Sequence, residues 1–148
     1  MSGDSSAYTE EEIAIPEGKL TMRTSGSGDP VLILHGELGF PGWRKYHQKL
    51  SEQYKVMAPS HPGYDESDRL EWAMKVSDLA AVYLQVIDDL NISNIKLIGF
   101  SMGGWLAAEM AVMDPGKFSE LIKKCVKKIT KKIPKYATDG GTSDARFI

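Results

Sequence analysis

Ile95-Lys96-Leu97-Ile98-Gly99-Phe100-Ser101-Met102-Gly103-Gly104-Trp105-Leu106-Ala107-Ala108 is the stretch that decides how this chain folds. Its first six residues are nearly all apolar, the pattern of a short strand buried on both faces of a sheet. The rest is rich in Gly and Ala and runs on to Met113. That composition suits a closely packed helix, which Asp114-Pro115-Gly116 stops. Between the two lies Gly99-Phe100-Ser101-Met102-Gly103, a G-x-S-x-G pentapeptide. The pattern alone is weak, because small residues are common. With a buried strand entering it and a helix leaving it, it predicts a nucleophile elbow with Ser101 at its tip. A turn that tight strains the backbone and projects the hydroxyl from the top of the sheet. Gly99 and Gly103 leave room for strand and helix to approach. The helix start supplies free N–H groups and a partial positive charge. The N–H of Met102 is placed to hold an oxyanion developing on a carbonyl that Ser101 attacks.

Outward from the elbow, strands alternate with helices. Trp72 to Leu90 is predicted as a long amphipathic helix, with Val76, Leu79, Ala80, Tyr83, Val86, Ile87 and Leu90 at helical spacing. Ser60 to Asp68 is a loop and Tyr54 to Pro59 a short strand. Trp43 to Gln53 is predicted as a helix with Tyr46 and Leu50 inward. Val31 to Leu34 is a second doubly buried strand, ending at His35-Gly36-Glu37-Leu38-Gly39. Gly26 to Pro30 is a turn cluster. Ile13 to Thr24 is predicted as one early strand, preceded by a polar lead-in. This alternation implies an α/β fold with a mainly parallel sheet and flanking helices.

Three blocks in order resemble the α/β-hydrolase family: the His35–Gly39 loop, the His61-Pro62-Gly63-Tyr64-Asp65-Glu66-Ser67-Asp68 loop, and the elbow with its Gly104-to-Ala111 packing helix. The resemblance covers about residues 13–118. It implies a serine hydrolase acting on an ester or related acyl bond of a small molecule, with Ser101 as nucleophile. By resemblance, His35-Gly36 opens an H-G-x-x-G loop whose next residue, Glu37, gives a second oxyanion N–H, with Leu38 close by. The family also implies that His35 braces this loop by hydrogen bonding rather than acting as a base. His47 and His61 are expected to face solvent or brace loops.

The family's catalytic order is Ser, then an acid, then a histidine. Here all three histidines, His35, His47 and His61, precede Ser101, while Asp114, Asp139 and Asp144 follow it. The expectation is therefore a truncated α/β-hydrolase fold whose catalysis is impaired or absent. A sixth apolar strand expected after Phe118 is replaced by a lysine-rich run, Lys123 to Lys132. There Leu121, Ile122, Cys125, Ile129 and Ile133 fall at helical spacing, ending at Pro134. The final Gly140-Gly141-Thr142-Ser143-Asp144-Ala145-Arg146-Phe147-Ile148 resembles a segment of succinyl-diaminopimelate desuccinylases, a di-zinc family. That likeness implies substrate contacts by Thr142, Ser143 and Arg146, but this family's zinc ligands have no counterpart here. The chain thus divides into a flexible N-terminus (1–12), a partial α/β-hydrolase domain (13–118) and a foreign-looking basic segment (119–148), as in a chimeric product.

Charge follows the same division. Residues 1–116 hold 9 Lys or Arg against 17 Asp or Glu, whereas 117–148 hold 9 against 3. No aromatics interleave with the lysines, so specific nucleic-acid binding is not expected. An elbow strand left near a sheet edge invites self-association, making a homo-oligomer the expected partner state. The chain has 148 residues, 42% hydrophobic and 26% charged, enough for one small domain. No run approaches the roughly 20 apolar residues of a membrane span, and no basic-apolar leader opens the chain, so a cytoplasmic address is expected. The single cysteine, Cys125, excludes an internal disulfide and a Cys-based metal site, and it is expected to be buried and inert. Asp65, Glu66 and Asp68 are read as a solvated loop rather than a cation site, and Met102, Met110 and Met113 as core packing. No cofactor and no metal are expected.

Overall fold

The computed structural model describes residues 7–119. Five strands build one sheet: β1 (Thr9–Ile15), β2 (Gly18–Ser25), β3 (Pro30–Leu34), β4 (Lys55–Pro59) and β5 (Lys96–Gly99). Three helices accompany them: α1 (Lys45–Ser51), α2 (Val76–Asp89) and α3 (Met102–Met113), followed by a 3-10 turn at Pro115–Lys117. The strand order is β1-β2-β4-β3-β5. At the centre, β3 pairs in parallel with β4 through Leu32 and Met57, and with β5 through Leu32–Leu97 and Leu34–Gly99. The α/β architecture expected from the alternation is present, and an antiparallel β1–β2 hairpin extends the sheet beyond β4.

The central strands read as continuous apolar runs because both sheet faces are covered. Successive side chains point to opposite faces. Leu32 and Leu34 therefore join Leu20, Met22 and Leu97 beneath α2 and α3, packed with Tyr83, Ile87, Leu106 and Met110. Val31, Ile33 and Val56 face the other way, against Tyr46 and Leu50 of α1. Each such side chain taken from water stabilises the fold by about 1.5–3 kcal/mol.

Several boundaries differ from expectation. The single early strand is a hairpin, because the chain reverses at Pro16-Glu17 with Glu17 at φ 67. Its first strand begins at Thr9, inside the expected lead-in. Helix α2 starts at Val76 rather than Trp72: the Asp78 carboxylate turns back to accept the N–H groups of Met74 and Lys75, each at 3.0 Å. Those bonds satisfy donors that a helix start leaves free and so fix the boundary. Helix α1 is shorter at both ends than the predicted span.

Among the described residues β5 is last in the order. Beyond it stands a single parallel bridge, Ile95 to Phe118, made by Ile95 N–H to Lys117 O (2.9 Å) and Ser119 N–H to Ile95 O (2.8 Å). Lys117 also pairs with Asp88 of α2. The basic run with Cys125 and the desuccinylase-like segment with Thr142, Ser143 and Arg146 lie outside the described residues. No helix among the described residues is long and apolar enough to cross a membrane.

Candidate active site

Strand β5 ends at Gly99 and helix α3 begins at Met102, so the whole reversal is made by Phe100 and Ser101. Ser101 takes φ 54 and ψ −118. A side chain with positive φ in that region is strained, at a cost on the order of 1–3 kcal/mol. The turn is held by Gly103 N–H to Phe100 O (2.8 Å), Gly104 N–H to Ser101 O (2.9 Å) and Phe100 N–H to Leu34 O (3.1 Å). Close contact is what admits so tight a turn. A Cβ on Gly99 would lie 2.6 Å from the Gly104 Cα, and one on Gly36 would lie 3.3 Å from the Ser101 Cβ. The loop after β3 is thereby pressed against the elbow.

Glycine should relieve the strain at Ser101. Ser101→Gly is expected to raise the thermal midpoint by roughly 4 °C or more. Ser101→Ala loses the same hydroxyl but keeps its Cβ, and should not gain. Calorimetry of the three proteins decides; equal midpoints for the Gly and Ala variants would mean the elbow stores no strain.

The loop places Ser101 against Glu37: Ser101 Oγ donates to Glu37 Oε2 at 2.6 Å. Both side chains are exposed, and Leu38 projects into solvent at 96% exposure. Ser101, His35, Gly36, Glu37 and Leu38 line one open groove of about 670 Å³. Its walls include Ile33, Phe40, Pro41, Tyr46 and Phe100, and Arg44 and Lys45 add two cations.

None of the three histidines faces solvent, which corrects that part of the expectation for His47 and His61: both are fully buried. Each serves as a brace. The His61 N–H donates to His35 Nε2 (2.9 Å), which leaves His35 Nδ1–H to reach Gly36 O (2.7 Å). His61 Nε2 lies 2.8 Å from His35 O, and its Nδ1 lies 2.6 Å from the Tyr83 hydroxyl. A carbonyl only accepts, so Nε2 carries the proton and Tyr83 donates to Nδ1. The His47 Nδ1 accepts from Arg44 N–H at 2.9 Å. Burial lowers all three. It takes His61 to about 3, helped by neighbouring His35, and His47 to about 4, helped by Arg23 and Arg44. All three imidazoles are thus neutral at pH 7.

Asp65 is likewise a tie rather than a solvated loop residue. Its Oδ2 accepts from Ser60 Oγ (2.7 Å) and from Phe40 N–H (3.1 Å), so it joins the two loops that flank the elbow. Burial raises its carboxyl, but those hydrogen bonds and the nearby His35 and Arg23 outweigh this and hold it below the usual range. Arg23, buried on β2, donates to Ser60 Oγ at 2.8 Å and stacks its guanidinium 3.9 Å from the Phe40 ring centre. The sequence sets Arg23 on one face of the early strand with Lys19 and Thr21, but β2 is buried on both faces from Leu20 to Arg23, and nothing in the sequence singles out Ser60. Of the three methionines read as core, Met110 is buried and Met102 half-buried, whereas Met113 is exposed.

The family model described as alpha/beta hydrolase fold matches residues 29–127, more than half of the chain. Two curated relatives are named 2-hydroxy-6-oxononadienedioate/2-hydroxy-6-oxononatrienedioate hydrolase. The one from Burkholderia vietnamiensis is 33% identical over 113 residues, covering 72% of this chain and 39% of the relative. The one from Dechloromonas aromatica is 30% identical over 127 residues, covering 78% and 44%. Among solved structures, epoxide hydrolase VrEH1 from Vigna radiata superposes with a TM-score of 0.69 at 23% identity, over 79% of this chain and 38% of that one. This last likeness speaks to fold alone. The chain spans from about a third to about half the length of the curated relatives it matches.

Proposed function

From the premise that the chain belongs to the α/β-hydrolase family, we propose that it is a serine hydrolase scaffold for an ester, thioester or related acyl bond. Ser101 is its nucleophile, and the N–H groups of Met102 and Glu37 are its oxyanion hole. The observation that carries this reading is Ser101 at φ 54 on the β5–α3 reversal, pressed against the loop that bears Glu37. In the step proposed, Ser101 Oγ bonds to the acyl carbon as its proton passes to a base. The carbonyl oxygen becomes the oxyanion, and collapse expels the leaving group with a proton returned to it. Water then releases the acyl group from Ser101. The groove beside Ser101, walled by Phe40, Pro41, Tyr46 and Phe100, suits an apolar acyl group.

The base is the part these residues do not supply. Within residues 1–148 every histidine precedes Ser101, and each is committed to the bracing bonds above. We therefore infer that residues 1–148 alone turn over substrate slowly or not at all, with what an oxyanion hole supports unaided. A fluorophosphonate probe tests the nucleophile directly. Wild-type chain should label and Ser101→Ala should not; absence of labelling in both would reject Ser101 as a working nucleophile here. Hydrolysis of p-nitrophenyl esters of increasing chain length tests the acyl groove.

A further inference from the structure

The Glu37 side chain has an unusual place for a charged group. Its carboxylate accepts the Ser101 hydroxyl at 2.6 Å, within the range of a charge-assisted O–H to O⁻ bond. The N–H groups of Glu37 itself and of Met102 lie near enough to favour its charged form. Those three donors are the nucleophile and the two oxyanion N–H groups of the proposed function. A cradle built for a negative oxygen is satisfied by any oxygen carrying that charge.

We infer that the Glu37 carboxylate is a resident anion in the oxyanion hole, a latch that substrate must displace before Ser101 reacts. The inference rests on the reading of Met102 and Glu37 as oxyanion donors. The side chain is exposed and stands on a short turn closed by Gly39 N–H to Gly36 O (3.2 Å). No core packing ties it there, so swinging outward gives up only the Ser101 hydrogen bond and the attraction of the two N–H groups. Ser101 first, then the two N–H groups, hold its carboxyl below the ordinary 4.5, so the latch is charged and closed at neutral pH. Displacement by substrate is therefore the way in.

Anion occupancy can be read without any turnover. The probe is sodium acetate, titrated at neutral pH into the full ¹⁵N-labelled chain while the Met102 amide is followed by NMR. Glu37→Ala empties the cradle, so its Met102 amide should shift saturably with acetate, and the wild type should not respond over the same range. Equal responses in both proteins would show the hole already open, and no response in either would show that no anion cradle exists there. Both results overturn the latch. A fluorophosphonate supplies the functional arm. Glu37→Ala should label about tenfold faster than wild type, the effect of removing a competing charged hydrogen bond. If neither protein labels, the nucleophile reading fails, while the acetate titration still decides the latch.

Discussion

Acidifying the protein from pH 7 toward pH 4 is expected to remove most of its stability, well before its carboxylates are the cause. His61 and His47 are buried and neutral in the fold, and burial holds them at about 3 and about 4 against an ordinary 6.5. Once the chain unfolds, both imidazoles are free to take up protons below about 6.5. The unfolded state therefore binds more protons than the folded one throughout the interval from about 6.5 down to about 4, and stability must fall with pH across it. Each group contributes about 1.4 kcal/mol per pH unit in that window, roughly 3 kcal/mol in all. Two such groups rival the whole stability of a small domain, about 5–15 kcal/mol. Asp65 acts in the same direction, because its folded carboxyl is depressed, but only around and below its ordinary 3.8. Urea unfolding by circular dichroism at pH 7, 6 and 5 measures the slope. A stability that stays level over that range would sink the account. His47→Gln, whose amide oxygen can still accept the Arg44 N–H, should reduce the slope by about 1.4 kcal/mol per pH unit without abolishing the fold.

The same histidines show where the sequence is mute. His61 sits between Ser60 and Pro62 in a loop rich in polar residues, and nothing local marks it as buried. It is buried because Tyr83, near the middle of the amphipathic helix α2, brings its hydroxyl to within 2.6 Å of Nδ1. That meeting joins residues far apart in the chain, and periodicity carries no information about it. The buried Arg23 fails for a similar reason: besides Glu10 of the neighbouring strand, its partners Ser60 and Phe40 come from two different loops.

Where the deciding forces are local, the sequence is legible. Helix α3 spans Met102–Met113, the predicted limits, because a tight turn begins it and Asp114-Pro115 ends it. The continuous apolar runs of β3 and β5 follow from burial on two faces, which leaves no alternation to confuse. The hairpin Thr9–Ser25 was hidden because its reversal uses Glu17 with positive φ instead of the glycine or asparagine that usually signals such a turn. The Ser101–Glu37 contact needed the fold as well. G-x-S-x-G and H-G-x-x-G each place a backbone, but only the packing of Gly36 on Ser101 brings the Glu37 side chain over the hydroxyl.

That packing sets the second large effect. Gly103→Ala should destabilise the protein by about 3 kcal/mol and disturb the Ser101 site together with it. Gly103 lies in the first turn of α3 where it crosses the end of β3, and an added Cβ would sit 2.7 Å from the carbonyl carbon of Leu34 and against the His35 carbonyl. Both neighbours are backbone, so no rotamer change makes room. Helix α3 must tilt or β3 must retreat, and β3 is an interior strand, bonded to β4 and β5. The substitution gains helix propensity of up to about 1 kcal/mol, too little to offset the overlap. The displaced backbone is that of Leu34 and His35, which carries Gly36 and Glu37, so the distance between the Met102 and Glu37 N–H groups changes as well. Gly116→Ala is the matched control, since its Cβ would meet nothing nearer than Asp114 at 3.9 Å, and it should stay within about 0.5 kcal/mol of wild type. Urea midpoints of the three proteins give the comparison. If Gly103→Ala proves as stable as Gly116→Ala, helix and strand are not in the contact that forces the elbow at Ser101.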